Sequence, residues 1–394
     1  HDISSGGMIT TLLELCFSEN DLGANVDLSS LLYIDTTELL FCENPGIIFQ
    51  GKKTVEEKLY KNDIAFYDLG KVNKSGLLTI KNNTHELKLS VNEYRDHWFH
   101  KSFLMDTQQS GNKKARERFD NFKKQPLIFK FPKQFSGQLT NSENKKINAA
   151  VIREKGSNSE REMAYVMDLV GFNVKDVHMS DLISGRENLE NIDFIVAVGG
   201  FSNSDVLGSA KGWAGSFIYN EKAKNSLMKF YSRENTLSLG VCNGCQLFIE
   251  LGLLHPDHKQ KPSMANNDSN KFECIFTSVE IKKNKTVMFE NMTGLKLGIW
   301  SAHGEGKFNL PLKENKYHIV GKYGYDDYPA NPNGSDYNTA IISNDDGRHV
   351  AMMPHLERST FPWNWPYYPS NRNDFISPWV IAFENAKKWL LKNT

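Results

Sequence analysis

The chain has 394 residues, two to three times the length of a typical domain, so we expect at least two hydrophobic cores. Lysine plus arginine and aspartate plus glutamate each number 47, which gives a formal net charge of zero and no electrostatic reason to expect nucleic acid or a membrane as a partner. Only five cysteines are present, and no apolar run approaches the ~20 residues of a membrane span. These features predict a reduced, cytoplasmic protein.

The first hundred residues alternate apolar runs with glycine and asparagine turns. Residues 9–17 predict a helix, later runs predict strands, and residues 85–105 end in a second helix. The first residue, His1, lies inside a stretch that is typical of the middle of a fold. We therefore expect residues 1–105 to be an α/β domain without its beginning.

A polar region separates this part from the rest of the chain. Residues 106–146 predict a helix followed by a connector. From residue 147 to residue 394 the first elements are short buried strands that alternate with amphipathic helices, and this order predicts a doubly wound parallel sheet. Ligands gather beyond the carboxyl ends of strands in such sheets. Both Gly199-Gly200 and Cys242 are predicted at such ends.

Two of the five cysteines, Cys242 and Cys245, lie three residues apart in LGVCNGCQ. A structural zinc site commonly needs further ligands at close spacing, and this pair stands alone. A redox pair at the start of a helix fits the same context, and two buried structural cysteines are a third alternative.

We favour a fourth interpretation, in which one of the two cysteines is a nucleophile. Residues 240–244 have the G-x-nucleophile-x-G form of a strained strand-to-helix turn, which would make Cys242 the exposed nucleophile and Cys245 a buried hydrophobic residue.

A cysteine nucleophile needs a base and a group that orients the base. His355 and Glu357 follow a strand-like apolar run, and residues two apart on an extended segment point the same way. Glu357 could therefore hydrogen-bond one ring nitrogen of His355 while the other nitrogen faces Cys242. The simpler alternative is a chance His-x-Glu in a chain with eleven histidines.

The same chemistry needs hydrogen-bond donors that stabilise the oxyanion formed when the nucleophile attacks a carbonyl. The amide of Asn243 at the start of the predicted helix is one candidate, and an amide in the Gly200-Phe201 turn is the other. The alternative is that this turn only connects a strand to a helix.

Longer motifs extend through nearly the whole chain and are specific to one family. They are HDISSGG (1–7), FCENPG (41–46), VIREKGSNSEREMA (151–164), GGFSNSDVLGSAKGWA (199–214), GVCNGCQ (240–246), SAHGEGKF (301–308), YPANPNGS (328–335) and DGRHVAMMPHLER (346–358). Through these motifs the chain resembles the C-terminal part of the phosphoribosylformylglycinamidine synthases, also called formylglycinamide ribonucleotide amidotransferases. They are ATP-dependent carbon–nitrogen ligases of purine biosynthesis that use glutamine.

The resemblance implies that residues 147–394 form a class I glutamine amidotransferase domain with Cys242, His355 and Glu357 as the catalytic triad. Cys242 would attack the side-chain amide of glutamine, His355 would protonate the departing ammonia, and water would release glutamate from a thioester. Gln246 occupies the family's glutamine-contacting position. Ammonia would then serve the ATP-dependent conversion of formylglycinamide ribonucleotide to formylglycinamidine ribonucleotide in synthetase domains that precede this sequence.

The resemblance also relates residues 1–105 to the end of an aminoimidazole ribonucleotide synthetase-like domain. It implies Asp2 as a magnesium ligand and Ser4 as a nucleotide contact, with Mg²⁺ and ATP or ADP shared with the absent synthetase domains. A lone aspartate cannot hold a metal securely, and the alternative is a helix-capping turn with Ser4 or Ser5 as the cap. Glutamine hydrolysis itself would need no cofactor.

One departure from the family pattern adjoins the predicted triad, because Leu356 stands where proline is usual and removes a restraint on φ. A non-catalytic scaffold or regulatory fragment that keeps the fold is a competing hypothesis, and a free-standing cysteine hydrolase is another. A dead copy is expected to lose a triad residue, and all three residues are present. The family-specific motifs argue against the free-standing hydrolase.

Overall fold

The computed structural model describes residues 1–18, 21–31, 35–83, 85–124, 128–140, 147–325 and 327–394. The chain divides into two compact units, residues 1–108 and residues 109–394. In the described part of the chain, no helix has both the length and the apolar character needed to cross a bilayer.

The first unit contains a four-stranded sheet and a separate two-stranded sheet. Its elements are β1 (Asp2–Ile3), α1 (Gly7–Cys16), β2 (Gly23–Asp27), α2 (Thr36–Phe41), β3 (Gly46–Ile47), α3 (Thr54–Lys61), β4 (Gly70–Asn73), β5 (Leu77–Asn82), β6 (His85–Ser90) and the first part of α4 (Val91–Asn121). The larger sheet has the order β4-β2-β5-β6, in which only β2 and β5 are parallel neighbours. Both helices predicted in this region are present, as α1 and α4.

Helix α4 is broken at Gly111, whose φ of 73° and ψ of 162° are not helical. The residues beyond the break belong to the second unit. Its remaining elements are β7 (Ile147–Arg153), α5 (Glu160–Val170), β8 (Phe172–His178), α6 (Met179–Ser184), β9 (Phe194–Ala197), α7 (Lys211–Ile218), α8 (Glu221–Tyr231), β10 (Leu237–Val241), α9 (Asn243–Glu250), β11 (Ser263–Ala265), β12 (Glu273–Ile281), β13 (Lys296–His303), β14 (Lys307–Asn309), β15 (His318–Tyr323), β16 (Thr339–Ser343), β17 (His349–Met352) and α10 (Val380–Asn393).

A nine-stranded sheet of order β13-β12-β15-β16-β17-β10-β9-β7-β8 forms the centre of the second unit. The five strands from β17 to β8 run parallel, and the strands on the other side of β17 pair antiparallel. Helix α5 packs with α10, whereas α6, α7, α8 and α9 pack in a second group. The parallel half is the doubly wound sheet that the alternation predicts. The antiparallel strands were not predicted from the sequence, because no described α-helix separates them and strand–helix alternation is therefore absent there.

An ion pair between a half-buried arginine and a buried glutamate joins the second half of α4 to this sheet. Arg118 donates to Oε2 of Glu273 at 2.7 Å, and the hydroxyl of Tyr328 donates to Oε1 at 2.6 Å. Glu273 is only 3% exposed. Its charge is therefore balanced by a guanidinium that comes from a distant part of the chain.

The junction of β10 and α9 is packed tightly against β9. A Cβ atom on Gly244 would lie 2.0 Å from the carbonyl oxygen of Ala197, and one on Gly240 would lie 2.5 Å from the carbonyl oxygen of Gly244. Between the two glycines, Cys242 has a φ of 53° and a ψ of −106°, a conformation that L residues rarely adopt. This close approach is the physical reason for the G-x-C-x-G pattern.

We expect Gly244→Ala to destabilise the second unit by about 3 kcal/mol, because the new methyl group would overlap a backbone oxygen that cannot move independently of β9. The matched control is Gly215→Ala in α7, where a Cβ atom would meet only the ring of Tyr219 at 3.8 Å. Alanine at this helical position is expected to be neutral or to stabilise by about 0.5–1 kcal/mol. Denaturant unfolding of both variants measures the difference, and equal midpoints would contradict the packing argument.

His349 is 3% exposed, and its Nδ1 lies 2.9 Å from the hydroxyl of Ser238. Burial, with a smaller effect of Arg348, lowers the pKa of His349 to about 4. Between this value and the ordinary pKa near 6.5, the unfolded chain binds a proton that the folded chain does not. This group therefore makes stability fall as the pH falls through that window, by up to about 1.4 kcal/mol per pH unit.

We expect His349→Gln to make the decline of unfolding free energy between pH 6.5 and pH 4.5 shallower than in the wild type, because glutamine does not titrate. Urea unfolding at several pH values gives both slopes. An unchanged slope in the variant would show that His349 is not held neutral by the fold.

Candidate active site

The parallel pairing of β10 with β17 brings Cys242 and His355 to the same edge of the sheet. Val241 and Met352 are register partners, so Cys242, the residue after Val241, and His355, three residues after Met352, lie at the same edge of the sheet. Both lie against Gly199 at the end of β9, where a Cβ atom would be 2.8 Å from Cε1 of His355 and 3.4 Å from Cβ of Cys242. Absence of a side chain at Gly199 is what lets the two residues approach.

His355 and Glu357 form a buried pair, with 2.6 Å between Nδ1 and Oε1 and side chains that are 2% and 0% exposed. Burial by itself would lower the pKa of His355, but the carboxylate of Glu357 and the side chain of Cys242 outweigh it and raise that pKa above its ordinary value. Burial would likewise raise the pKa of Glu357, and His355 and Arg358 lower it instead. The pair is thus built to carry an imidazolium beside a carboxylate.

The local backbone around this pair differs from the extended segment that we expected. Leu356 has a φ of −71° and a ψ of −33°, and Glu357 begins a short 3₁₀ helix. The carboxylate therefore reaches Nδ1 by a turn of the chain and not by alternation along a strand. The φ of Leu356 lies close to the value of about −65° that proline would impose, and its side chain is fully buried. Packing thus supplies the restraint that the missing proline would give.

The two cysteines of the CxxC pair face different surroundings. Cys242 is 5% exposed, lines a cleft, and has its sulfur 3.6 Å from the carbonyl oxygen of Ala302. Cys245 is fully buried on α9, and burial raises its thiol pKa well above the ordinary value. Cys242 has less exposed area than we expected of a nucleophile, yet it is the cysteine that a ligand in the cleft can contact.

The cleft around Cys242 is small, with a cavity volume of about 60 Å³. It is lined by residues that follow the parallel strands β7, β9, β10 and β17 and by residues in or next to β12 and β13: Asn158, Gly200, Phe201, Asp205, Ser209, Cys242, Gln246, Phe272, Ala302, His303, Gly304, His355 and Arg358. All three residues of the predicted triad are close to this cleft, since Glu357 supports His355 from behind.

The predicted oxyanion donors differ in whether their amides are already used. Phe201 donates its amide to the carbonyl of Gly156 at 2.9 Å, and Asn158 donates to the carbonyl of Gly199 at 2.9 Å. These two bonds flank Gly200 and do not use its amide. Asn243 is the first residue of α9, where amides have no partner within the helix. The geometry thus favours Gly200 and Asn243 over Phe201 as donors.

Polar side chains of α9 tie together the loops on both sides of the cleft. Asn243 accepts a hydrogen bond from the amide of Ser202 at 3.1 Å and donates to Oε1 of Gln246 at 2.9 Å. Gln246 in turn donates to the carbonyl oxygen of Glu305 at 2.8 Å. Gln246 lines the cleft, and its side-chain amide holds the Glu305 loop in place. The bracing role of the Asn243 side chain was not predicted from the sequence.

His303 is a cleft residue to which the sequence assigned no role. It is 2% exposed, and burial together with the nearby His355 lowers its pKa to about 3. Among the described residues its Nδ1 has no hydrogen-bond partner, and a Cβ atom on Gly306 would lie 2.5 Å from that nitrogen. The signal that could have indicated it was the motif SAHGEGKF.

The two residues proposed from the first unit lie near its start. Asp2 is exposed on β1, and its Oδ1 lies 3.4 Å from Nδ1 of His1. The described part of the chain contains no group of three or more His, Cys, Asp and Glu residues suited to a metal ion, so these residues do not by themselves form a magnesium site. The backbone carbonyl of Ser4 accepts a hydrogen bond from the amide of Gly7, and the N-cap residue of α1 is Gly6, so no side chain caps the helix. Neither Ser4 nor Ser5 is therefore the cap.

Comparison with known proteins gives relatives across the whole chain. It is 38% identical over 99% of its length to the probable phosphoribosylformylglycinamidine synthase, chloroplastic/mitochondrial, of Arabidopsis thaliana, and 34% identical over 100% to phosphoribosylformylglycinamidine synthase of Homo sapiens. It covers 30% and 32% of those proteins, so it spans about a third of their length. The resemblance drawn from the motifs is confirmed.

A solved structure titled "Structure of PurLQS from Thermotoga maritima" contains a chain that is 26% identical, with a TM-score of 0.47, over 63% of this chain and 99% of that one. The model of the CobB/CobQ-like glutamine amidotransferase domain matches residues 146–390. Because this match covers well over half of the sequence, the chain belongs to the family of CobB/CobQ-like glutamine amidotransferases.

Proposed function

We propose that this chain is the glutamine-hydrolysing part of a phosphoribosylformylglycinamidine synthase, with Cys242, His355 and Glu357 as its catalytic residues. One observation supports this most strongly. A cysteine in a left-handed strand-to-helix turn shares a cleft with a histidine whose Nδ1 is held by a buried carboxylate at 2.6 Å. This is the arrangement that a thioester mechanism requires.

The chemistry follows from the positions of the protons. Nδ1 of His355 is engaged by Glu357, which leaves Nε2 to take the proton of the Cys242 thiol. The thiolate attacks the side-chain carbonyl carbon of glutamine, and the carbon–sulfur bond forms as the carbonyl oxygen becomes an oxyanion. His355 then returns its proton to the departing nitrogen, which leaves as ammonia. Water, deprotonated by His355, cleaves the thioester to release glutamate and regenerate the thiol.

The oxyanion would be stabilised by the amides of Gly200 and Asn243. They project from the neighbouring ends of β9 and β10, and the backbone bonds around Gly200 do not occupy its amide. Fixed amide dipoles in a water-poor cleft stabilise such a charge without reorganisation. The amide of Phe201 has no part in this proposal, because it already donates to the carbonyl of Gly156.

The ammonia would be used by synthetase domains of the same enzyme, for the ATP-dependent formation of formylglycinamidine ribonucleotide, and glutamine and those domains would be the partners. Mg²⁺ and ATP or ADP would belong mainly to those domains, with Asp2 and Ser4 as contributors at most, since the described residues do not complete a metal site. Glutamine hydrolysis as derived above uses only side chains and amides of this chain. The cytoplasm is our proposed location, although the relative from Arabidopsis thaliana is named chloroplastic/mitochondrial. We find no observation that favours the scaffold or the free-standing hydrolase.

Changing Cys242 to alanine should lower glutamine-dependent product formation by about three orders of magnitude or more, since no other group can form the thioester. The assay uses the full-length enzyme with all substrates, and activity with added ammonium salts should remain, which controls for folding. Cys245→Ala is the matched control and should keep glutamine-dependent activity. Full activity of the Cys242 variant with glutamine would refute the proposal.

Electrophilic glutamine analogues should modify Cys242 and not Cys245. Cys242 lines the cleft beside His355, whereas Cys245 is fully buried with a raised thiol pKa and has a negligible thiolate fraction at neutral pH. Peptide mass mapping after limited labelling identifies the site. An adduct on Cys245 would reverse the assignment of the nucleophile.

A further inference from the structure

A second cavity lies beside the triad in the second unit. Its lining includes Glu162, Tyr165, Glu357, Phe361 and Trp363. The carboxylate residue of the triad borders this second cavity, whereas Cys242 and His355 border the cleft. The second cavity has a volume of about 300 Å³, against about 60 Å³ for the cleft, which is enough for a small organic ligand. The triad chemistry makes no use of this space.

Three aromatic side chains lie together in the lining of the second cavity. The rings of Phe361 and Trp363 are stacked, with 4.3 Å between their centroids and 8° between their planes. The centroid of the Tyr165 ring lies 6.1 Å from that of Phe361. Trp363 is 68% exposed and Tyr165 is 54% exposed, so a ligand can reach both rings. Aromatic faces attract cations, and tryptophan does so most strongly.

The charged side chains in this lining also favour a cation as the ligand. Glu162 and Glu357 are acidic, and Arg358 is basic. The guanidinium of Arg358 already donates from Nη2 to Oδ1 of Asn158 at 2.7 Å. Its Nε is 3.8 Å from Oε1 of Glu162, which is too far for a hydrogen bond. The lining is thus acidic on balance.

An unpaired oxygen of Glu357 is a second, independent observation. Its Oε1 lies 2.6 Å from Nδ1 of His355, but its Oε2 is buried and has no hydrogen-bond partner in the described part of the chain. A buried carboxylate oxygen without a donor costs free energy, and an N–H group of a ligand would remove that cost. Because Glu357 lines the second cavity, this cavity is where such a ligand would bind.

We propose that the second cavity binds a small guanidinium compound. The flat face of the guanidinium stacks on Trp363, and the N–H groups at its edge donate to Oε2 of Glu357 and to the carboxylate of Glu162. An alkylammonium group has the same charge but no flat face, so it suits this lining less well. The ligand and glutamine occupy different cavities.

Binding of this ligand should inhibit glutamine hydrolysis. A guanidinium at Oε2 of Glu357 places a positive charge close to His355, and it therefore opposes the imidazolium on which the chemistry depends. Since glutamine binds elsewhere, the ligand should lower kcat about 5- to 10-fold at saturation and leave KM nearly unchanged. The ligand site goes beyond the proposed function, and only its inhibitory effect rests on that function.

Saturation-transfer NMR with the full-length enzyme measures binding without any need for catalysis. Methylguanidinium is the probe, and methylurea is a neutral compound of the same shape. We expect a Kd of about 1 mM for methylguanidinium, which is a typical affinity for so small a ligand. Methylurea should bind at least about tenfold more weakly, because it lacks the charge.

Two substitutions in the lining test the location of the site. Trp363→Ala and Glu162→Gln should each raise the Kd for methylguanidinium about three- to fivefold, and the double variant should raise it about tenfold or more. Tyr219→Ala is the matched control, because it removes an aromatic ring that is 89% exposed at the end of α7. It should leave the Kd unchanged.

The inference is overturned if methylurea binds as tightly as methylguanidinium, or if the double variant keeps the wild-type Kd. Inhibition that excess glutamine relieves would place the ligand in the cleft and would overturn it as well. Failure of the proposed function would look different. Wild-type glutamate release would then not depend on Cys242, while binding of methylguanidinium would be unaffected.

Discussion

The left-handed backbone of Cys242 is the constraint on which the site depends. A residue other than glycine pays about 1–3 kcal/mol for such a conformation and keeps it only where its surroundings leave no alternative. Here the amide of Cys242 donates to Met352 on β17 and its carbonyl accepts from Gln246 on α9. The turn is thus fixed between the two elements that it must join, with Gly240 and Gly244 giving the room.

This crowding has a direct electrostatic effect. Because β9, β10 and β17 meet at the turn, His355 and Glu357 are buried, and a buried ion pair is a poor source of stability. Oε2 of Glu357 has no hydrogen-bond partner among the described residues. The arrangement is therefore better explained by the need to hold a charged imidazole beside a thiol than by any contribution to folding.

Part of the fold could be predicted because the signal was local. The strands and helices from β7 to α9 alternate in the sequence as they do in space, and the glycines around Cys242 are required by short-range contacts. The antiparallel strands β12 to β16 could not be placed, since their pairing depends on which edge of the sheet is open. Periodicity does not contain that information.

The candidate site was predictable to a similar degree. The His-x-Glu pair was found although its backbone is not extended, because two residues in a turn can also bring their side chains together. The use of the Phe201 amide by Gly156 depends on a bridge between loops that are 45 residues apart in the sequence.

The ion pair between Arg118 and Glu273 bears on where the amidotransferase unit begins. The family match starts at residue 146, yet the compact unit starts at residue 109 and includes Arg118. A chain shortened to the matched region would keep Glu273 and lose the guanidinium that balances it. Glu273 is the register partner of His303, which lines the cleft. The helix ahead of the recognisable domain is thus a structural part of it, and its removal would place an unbalanced charge one strand from the site.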